Sequence, residues 1–165
     1  MFGIIEKHGR CKPLTMCKIT IPWTILLVCL LVPPSAPTEQ KAGVPQIRGI
    51  VRKVAIEEKI KPEHLLAMAW VESKFNPKPK PGDNGRSFGL FQIRIKLHGI
   101  TKQQAEDAEF AALWACEYLK ERGYLENARR GIRRYNGGGK KGSRGYKMAQ
   151  AYLKKVLARA KKETK

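Results

Sequence analysis

The chain has 165 residues, with 33 Lys and Arg against 14 Asp and Glu, for a formal net charge of +19. That length accommodates one ordinary domain with a real core and excludes two large ones. The charge implies a polyanionic partner, whether nucleic acid, an anionic membrane face, or a cell wall with its peptide carboxylates and anionic polymers.

Residues 1–37 read as a targeting segment with its linker, and 38–165 as the functional domain. Lys7, Arg10, Lys12 and Lys18 precede an apolar stretch at 19–32, followed by Pro33-Pro34-Ser35-Ala36-Pro37, the order of parts in an export signal. The stretch is shorter than the ~20 apolar residues of a spanning helix, and Pro22 interrupts it, which favours a cleaved signal over a permanent anchor. Pro37, directly after the candidate cleavage site at Ala36, disfavours cleavage, so an uncleaved signal anchor is the alternative. The expected location is the periplasm or cell envelope, and export disfavours nucleic acid as the partner. Cys11, Cys17 and Cys29 fall in this segment, which leaves Cys116 alone in the body of the chain and rules out a disulfide framework there. Cys116 is expected to pack as a small hydrophobe. His8, His64 and His98 are scattered, and no metal site is expected.

Beyond the linker, Ile47, Ile50, Val51, Val54 and Ala55 recur at helical spacing and predict a first helix to about Lys59. Pro62 suits the first turn of a second helix, where its missing N–H is harmless, and Asn76-Pro77 stops that helix after about Ser73. Its interior from Leu65 to Val71 is apolar on nearly every side, so it is central and buried. Leu65, Met68, Ala69 and Glu72 stand at i, i+3, i+4 and i+7, which places a carboxylate on an apolar face. Desolvation there disfavours the charged form, so the pKa of Glu72 is expected to rise and the group to retain a proton near neutrality.

Residues 77–86 hold Pro77, Pro79, Pro81, Gly82 and Gly85 and read as a loop with a turn at Gly82-Asp83-Asn84-Gly85. A short hairpin arm is expected at 91–97. A third helix runs from Thr101 or Asp107 to Arg122, with Gly123 placed to end it. Further helices cover 126–135 and 146–160. In the last, Ala149, Tyr152, Leu153, Val156, Leu157 and Ala160 form an apolar stripe opposite Lys154, Lys155 and Arg159. From 127 to 165, fourteen Lys or Arg meet one acid, Glu163, a net +13.

Three short motifs follow one another in order: Glu72-Ser73 with Phe75-Asn76-Pro77, then Ser87-Phe88-Gly89-Leu90-Phe91-Gln92-Ile93, then Tyr135-Asn136-Gly137-Gly138. Together with Tyr118-Leu119 and Tyr152, over roughly residues 43–160, they resemble the soluble lytic transglycosylase domain, related to goose-type lysozymes. The resemblance implies a mainly α, lysozyme-like single domain with a short irregular or β-like arm beside the cleft, preceded by the signal segment. It also implies cleavage of the β-1,4 bond between N-acetylmuramic acid and N-acetylglucosamine in peptidoglycan glycan strands, with a 1,6-anhydromuramyl product and no metal or cofactor.

Chemistry fits each part. A glycosidic oxygen leaves poorly unless protonated, and Glu72 on an apolar face is the acid to protonate it. Ser73 beside it suits orienting the acid or bonding to the helix backbone. Gly89 offers backbone freedom and close approach, or serves a turn, and Ser87 stands in the same motif. Gln92 supplies amide donors and an acceptor for N-acetyl and hydroxyl groups. Tyr135 and Asn136 add a phenol and an amide across the cleft, or Tyr135 is a core aromatic with a structural partner. Leu90, Phe91 and Ile93 read as core. Phe91 stands where Met is common in the family, Asp107-Ala108 replaces a familiar Asp-Pro helix start, and Ala111 replaces an Asn.

Asp83 is the only acid in the loop between the first two motifs, and its turn setting favours a backbone-bonding role. That leaves one carboxylate to act as acid and then as base. A lysozyme-type hydrolase on the same fold is the nearest rival. From another class, a non-catalytic cationic protein would bind anionic wall polymers or a membrane surface through the basic C-terminal region.

Overall fold

Most helix starts among the described residues are set by proline or by short polar side chains. A computed structural model describes residues 43–138 and 140–164. The targeting segment read at 1–37, with its apolar run at 19–32 and three cysteines, lies outside the described residues. Helix α1 spans Val44–Glu57 and α2 spans Pro62–Ser73, each with Pro in its first two positions, where no intrahelical donor is needed. Lys74 closes α2 in the left-handed conformation at φ 53°, and Phe75 follows at φ 64°, so the chain has turned before it reaches Asn76-Pro77.

Leu65, Leu66, Ala67, Met68 and Ala69 are each 0% exposed. Five consecutive buried residues require a helix covered on nearly every side, and α2 packs against both α1 and α7, the C-terminal helix at Arg144–Glu163. Each fully buried Leu or Met there contributes about 1.5–3 kcal/mol. Helix α2 is therefore the rigid post on which Glu72 is mounted.

The arm forms, but earlier and shorter than expected. Strands β1 (Ser87–Phe88) and β2 (Ile93–Arg94) pair antiparallel, with Ser87 opposite Arg94 and Phe88 opposite Ile93. Gly82 adds a bridge to Ser87. The turn before it is closed by the Gly85 N–H on the Gly82 carbonyl at 3.0 Å. Asp83 and Asn84 are both left-handed, as a two-residue hairpin turn requires. Left-handed Gly89 (φ 76°) and Gln92 (φ 49°) fold the chain back between the strands, so pairing resumes only at Ile93. Residues 95–97, expected in the arm, belong instead to a short helix α3 (Ile95–His98) that Gly99 ends at φ 66°.

The third helix, expected from Thr101 or Asp107, is α5 (Ala108–Glu121) starting at Asp107, and a separate short helix α4 (Lys102–Glu106) follows Thr101, because Asp107 is extended at φ −75°, ψ 125°. Thr101 starts α4 through a capping box, its Oγ1 accepting from the Gln104 N–H at 3.1 Å while Gln104 Oε1 accepts from the Thr101 N–H at 2.9 Å. Asp107 Oδ1 accepts from the Phe110 N–H at 2.7 Å, so the carboxylate cap starts α5 without a following proline. Helix α6 (Ala128–Tyr135) starts two residues later than expected, because Asn127 caps it through the Arg130 N–H at 2.9 Å. Helix α7 starts two residues early, where Ser143 accepts from the Tyr146 N–H at 3.2 Å.

The far end of α7 is held by Glu163, whose side chain is 1% exposed and pairs with Arg48 of α1 and with Arg159, both at 2.6 Å. Burial alone would raise its pKa, but hydrogen bonds and charge from Arg48 and Arg159 hold it below the usual value. The one acid of the basic tail is thereby committed to locking α1 and α7 together. Cys116 is buried on α5, and its thiol is pushed up to about 12, first by burial and then by Glu58, which makes it inert packing. The described chain is mainly helical, as expected. No helix among the described residues is long and apolar enough to cross a membrane.

Candidate active site

Glu72 lies in the last turn of α2, one residue before the end of the helix. Its carboxyl pKa is raised from 4.5 to about 7, first by burial, with the Tyr152 hydroxyl acting in the opposite direction. No second carboxylate and no cation is among the causes. Desolvation by the α2 and α7 packing is thus the source of the perturbation. Ser73 Oγ donates to the Ala69 carbonyl at 3.1 Å, the helix-backbone bond that was one of its two expected uses.

Two tyrosines lie near Glu72. Tyr135, the last residue of α6, donates its hydroxyl to the Phe91 carbonyl at 2.9 Å. Tyr152 of α7 is 7% exposed, and its hydroxyl is buried without a hydrogen-bond partner of good geometry. It nevertheless faces Glu72 closely enough to lower the proton affinity of the carboxyl. Both phenols are held well above their ordinary pKa, by burial first and by the Glu72 charge second, so both remain neutral donors. Their rings stack at 6.3 Å between centroids, with 13° between planes.

The Tyr135–Phe91 bond joins the third motif to the second. Within that loop the Gln92 N–H and Nε2 both donate to the Gly89 carbonyl, at 3.1 and 3.3 Å. Gln92 Oε1 lies where a Cβ on Gly82 would come within 2.3 Å of it, so the amide is wedged between its own loop and the 82–85 turn. Ser87 is buried on β1. Gly89 is buried with its Cα against α4, where an added Cβ would stand 1.5 Å from the Ala105 carbonyl oxygen. The close approach at Gly89 is therefore to the protein's own backbone, and glycine is required there for packing. Leu90, Phe91 and Ile93 lie in the core. Asn136 is the exposed C-cap of α6. Asp83 is exposed in its turn and pairs with Arg94 of β2 at 3.1 Å.

Tyr135 is thus near enough to Glu72 to feel its charge, and it is tied to the loop carrying Ser87, Gly89 and Gln92. The sequence placed Tyr152 in the apolar stripe of α7 and among the residues of the resemblance, without a role in the site. A hydroxyl within an otherwise apolar stripe was the available signal. Also unread was an aromatic cluster beside Tyr135: Trp114 stacks on Tyr118 at 4.9 Å, and His98 meets both edge-on. Among the described residues no group of three or more metal-ligating side chains gathers.

Tyr152→Phe removes the hydroxyl that favours ionised Glu72, so any activity that needs protonated Glu72 should persist to higher pH. A pH–rate profile in which the descending limb stays in place, or moves down, would show that Tyr152 serves packing alone. Comparison of the chain with protein-family models, with curated proteins and with solved structures finds no match.

Proposed function

We propose that the domain is a peptidoglycan lytic transglycosylase of lysozyme-like fold that works in the periplasm or cell envelope. It cleaves the β-1,4 bond between N-acetylmuramic acid and N-acetylglucosamine. The observation that carries this reading is a single carboxyl raised to about 7 by burial, with no carboxylate partner among the causes of its shift. A retaining glycosidase needs a second carboxylate at about 5–5.5 Å, and an inverting one at about 6.5–9.5 Å. The one acid in the neighbouring loop, Asp83, is committed to Arg94.

Protonated Glu72 gives its proton to the glycosidic oxygen as the bond breaks. The acetamido group of the substrate stabilises the oxocarbenium-like centre. The Glu72 carboxylate, generated in a desolvated setting where it is a stronger base than an exposed Glu, then takes the proton from the muramyl C6 hydroxyl as the 1,6-anhydro ring closes. Tyr135 and Tyr152 remain protonated throughout and supply hydroxyl dipoles beside the carboxyl. The exposed cations of α6 and α7 attract anionic wall polymers. Arg129, Lys154 and Lys161 flank a groove of about 470 Å³ at the opposite end of α2 from Glu72.

Mass spectrometry of products released from purified cell wall tests the reading. Anhydromuramyl ends are expected. Reducing muramyl ends would assign a lysozyme-type hydrolase instead, and absence of release, with wall binding that falls as salt rises, would leave a cationic binding protein.

A further inference from the structure

Helix α7 has two faces of opposite character. Its inward face carries Tyr152, Leu153 and Val156 into the core, and Tyr152 there reaches the Glu72 carboxyl. The outward face is cationic. Lys147, Lys154 and Lys161 recur every seven residues along one edge, and Lys155 and Lys162 do so along the other, all of them exposed. Seven residues are close to two helical turns, so each row runs nearly parallel to the axis at intervals of about 10 Å. Between the rows stand Ala151 and Ala158, both exposed, and their small side chains leave the lysine ends as the outermost layer.

No acid interrupts this face. Glu163 is the one carboxylate of α7, and it is turned to Arg48 and Arg159 with its side chain 1% exposed. Among the described residues none of the five lysines forms a salt bridge. Like charges held in rows repel one another until an anionic partner covers them.

Beside the lysines the surface is apolar. A groove of about 470 Å³ has Leu157, Ala158 and Ala160 in its wall next to Lys154 and Lys161, and Glu63 and Arg129 add one charge of each sign to it. A second groove of about 450 Å³, also lined by Ala158, joins Lys155 and Lys162 to Trp70 and Val71 of α2. Trp70 is half-buried, with the Arg159 guanidinium 4.4 Å from its ring centre. A soluble polyanion would meet the ammonium groups and leave both apolar walls wet. An anionic bilayer satisfies both, because its phosphates meet the ammonium groups while glycerol and the first acyl carbons reach the grooves. Tryptophan beside cations is also the pairing found at bilayer–water boundaries. Helix α7 is too polar to cross a bilayer, which leaves it lying on the surface.

We propose that the outward face of α7 is a docking surface for an anionic phospholipid membrane, with the Lys147–Lys154–Lys161 row and the Lys155–Lys162 row against the headgroups. Tyr152 leaves the helix on the opposite side, so docking in this way does not cover its contact with Glu72. The surface lies outside the Glu72 site, and the inference holds whichever reaction that site performs.

The test is sedimentation of the full chain with vesicles of phosphatidylcholine alone and of phosphatidylcholine mixed with phosphatidylglycerol. The apolar stretch at 19–32 contributes equally to both, so the ratio of the two partition coefficients reads the charged surface. Each Lys at an anionic surface contributes about fivefold, so Lys154→Gln with Lys161→Gln, or Lys155→Gln with Lys162→Gln, should lower that ratio about 25-fold. Arg52→Gln with Lys96→Gln removes the same charge from exposed positions on α1 and α3. This pair should change the ratio less than about twofold, because charges beyond a Debye length are screened. A parent ratio near one, or equal losses in the face and control pairs, would overturn the docking face. So would face pairs that weaken binding to poly(glycerol phosphate) or duplex DNA while the vesicle ratio stays in place, which would assign the lysines to a soluble polyanion.

Discussion

Glu72→Gln should lower turnover on purified peptidoglycan by about 10²–10⁴-fold, the usual contribution of a positioned general acid–base group, and leave the fold intact. The side chains are isosteric, but the amide has no proton to give to a glycosidic oxygen. The parent should show one descending limb of kcat/KM near pH 7, because protonated Glu72 is the form that starts the reaction. Lysis surviving undiminished in the Gln variant would assign the activity to the basic surface instead.

The same substitution should raise stability, and the sign follows from linkage. Glu72 has a folded pKa of about 7 against 4.5 for the exposed carboxyl, so the unfolded chain ionises first. Its burial costs nothing at pH 4, where both states are protonated. The cost grows as pH rises from about 4.5 to about 7 and then levels at about 3 kcal/mol. Urea melts of parent and Glu72→Gln should therefore coincide near pH 4 and separate by pH 8, with the variant the more stable. Parallel melts across that range would mean that the carboxyl is not desolvated. A catalytic acid held against its own solvation is a known source of such a trade between stability and activity.

Gly89→Ala should destabilise the domain by on the order of 3–5 kcal/mol. Two penalties coincide there. The backbone is left-handed at φ 76°, and the new Cβ would lie 1.5 Å from the Ala105 carbonyl oxygen and 2.3 Å from its carbon. Neither atom belongs to a flexible side chain, so relief requires α4 to move away from the loop. The loop also carries the Phe91 carbonyl that holds the Tyr135 hydroxyl, so activity should fall even at temperatures where the variant stays folded. A loss below about 1 kcal/mol in denaturant titration would show that α4 yields readily.

Much of the fold was readable one segment at a time. The span of α2 was predicted to the residue, because Pro62 and a run of apolar side chains are local signals. The C-terminal helix was placed to within a few residues for the same reason. The errors fall where two local preferences compete. Of the two starts offered for the third helix, Asp107 caps α5 and Thr101 caps a separate α4, because the Asp107 carboxylate can end one helix and start the next. Residues 95–97 were placed in the hairpin arm because periodicity cannot separate strand from helix over so few residues.

The site divides along the same line. An acid at i+7 on an apolar face already carries the expectation of a raised pKa, because helical geometry fixes which neighbours share that face. Whether that face is dry depends on what covers it. Here the cover is α7, eighty residues further along the chain, and with it came Tyr152. Gly89, Ser73 and Tyr135 each stood at a position with two possible uses. In the fold Gly89 packs against Ala105, Ser73 bonds to the Ala69 carbonyl and Tyr135 bonds to the Phe91 carbonyl. Residue type and spacing fix the local backbone and the chemistry available. Burial, partner choice and the joining of Trp114 to Tyr135 arise from contacts between distant segments, which no local pattern encodes.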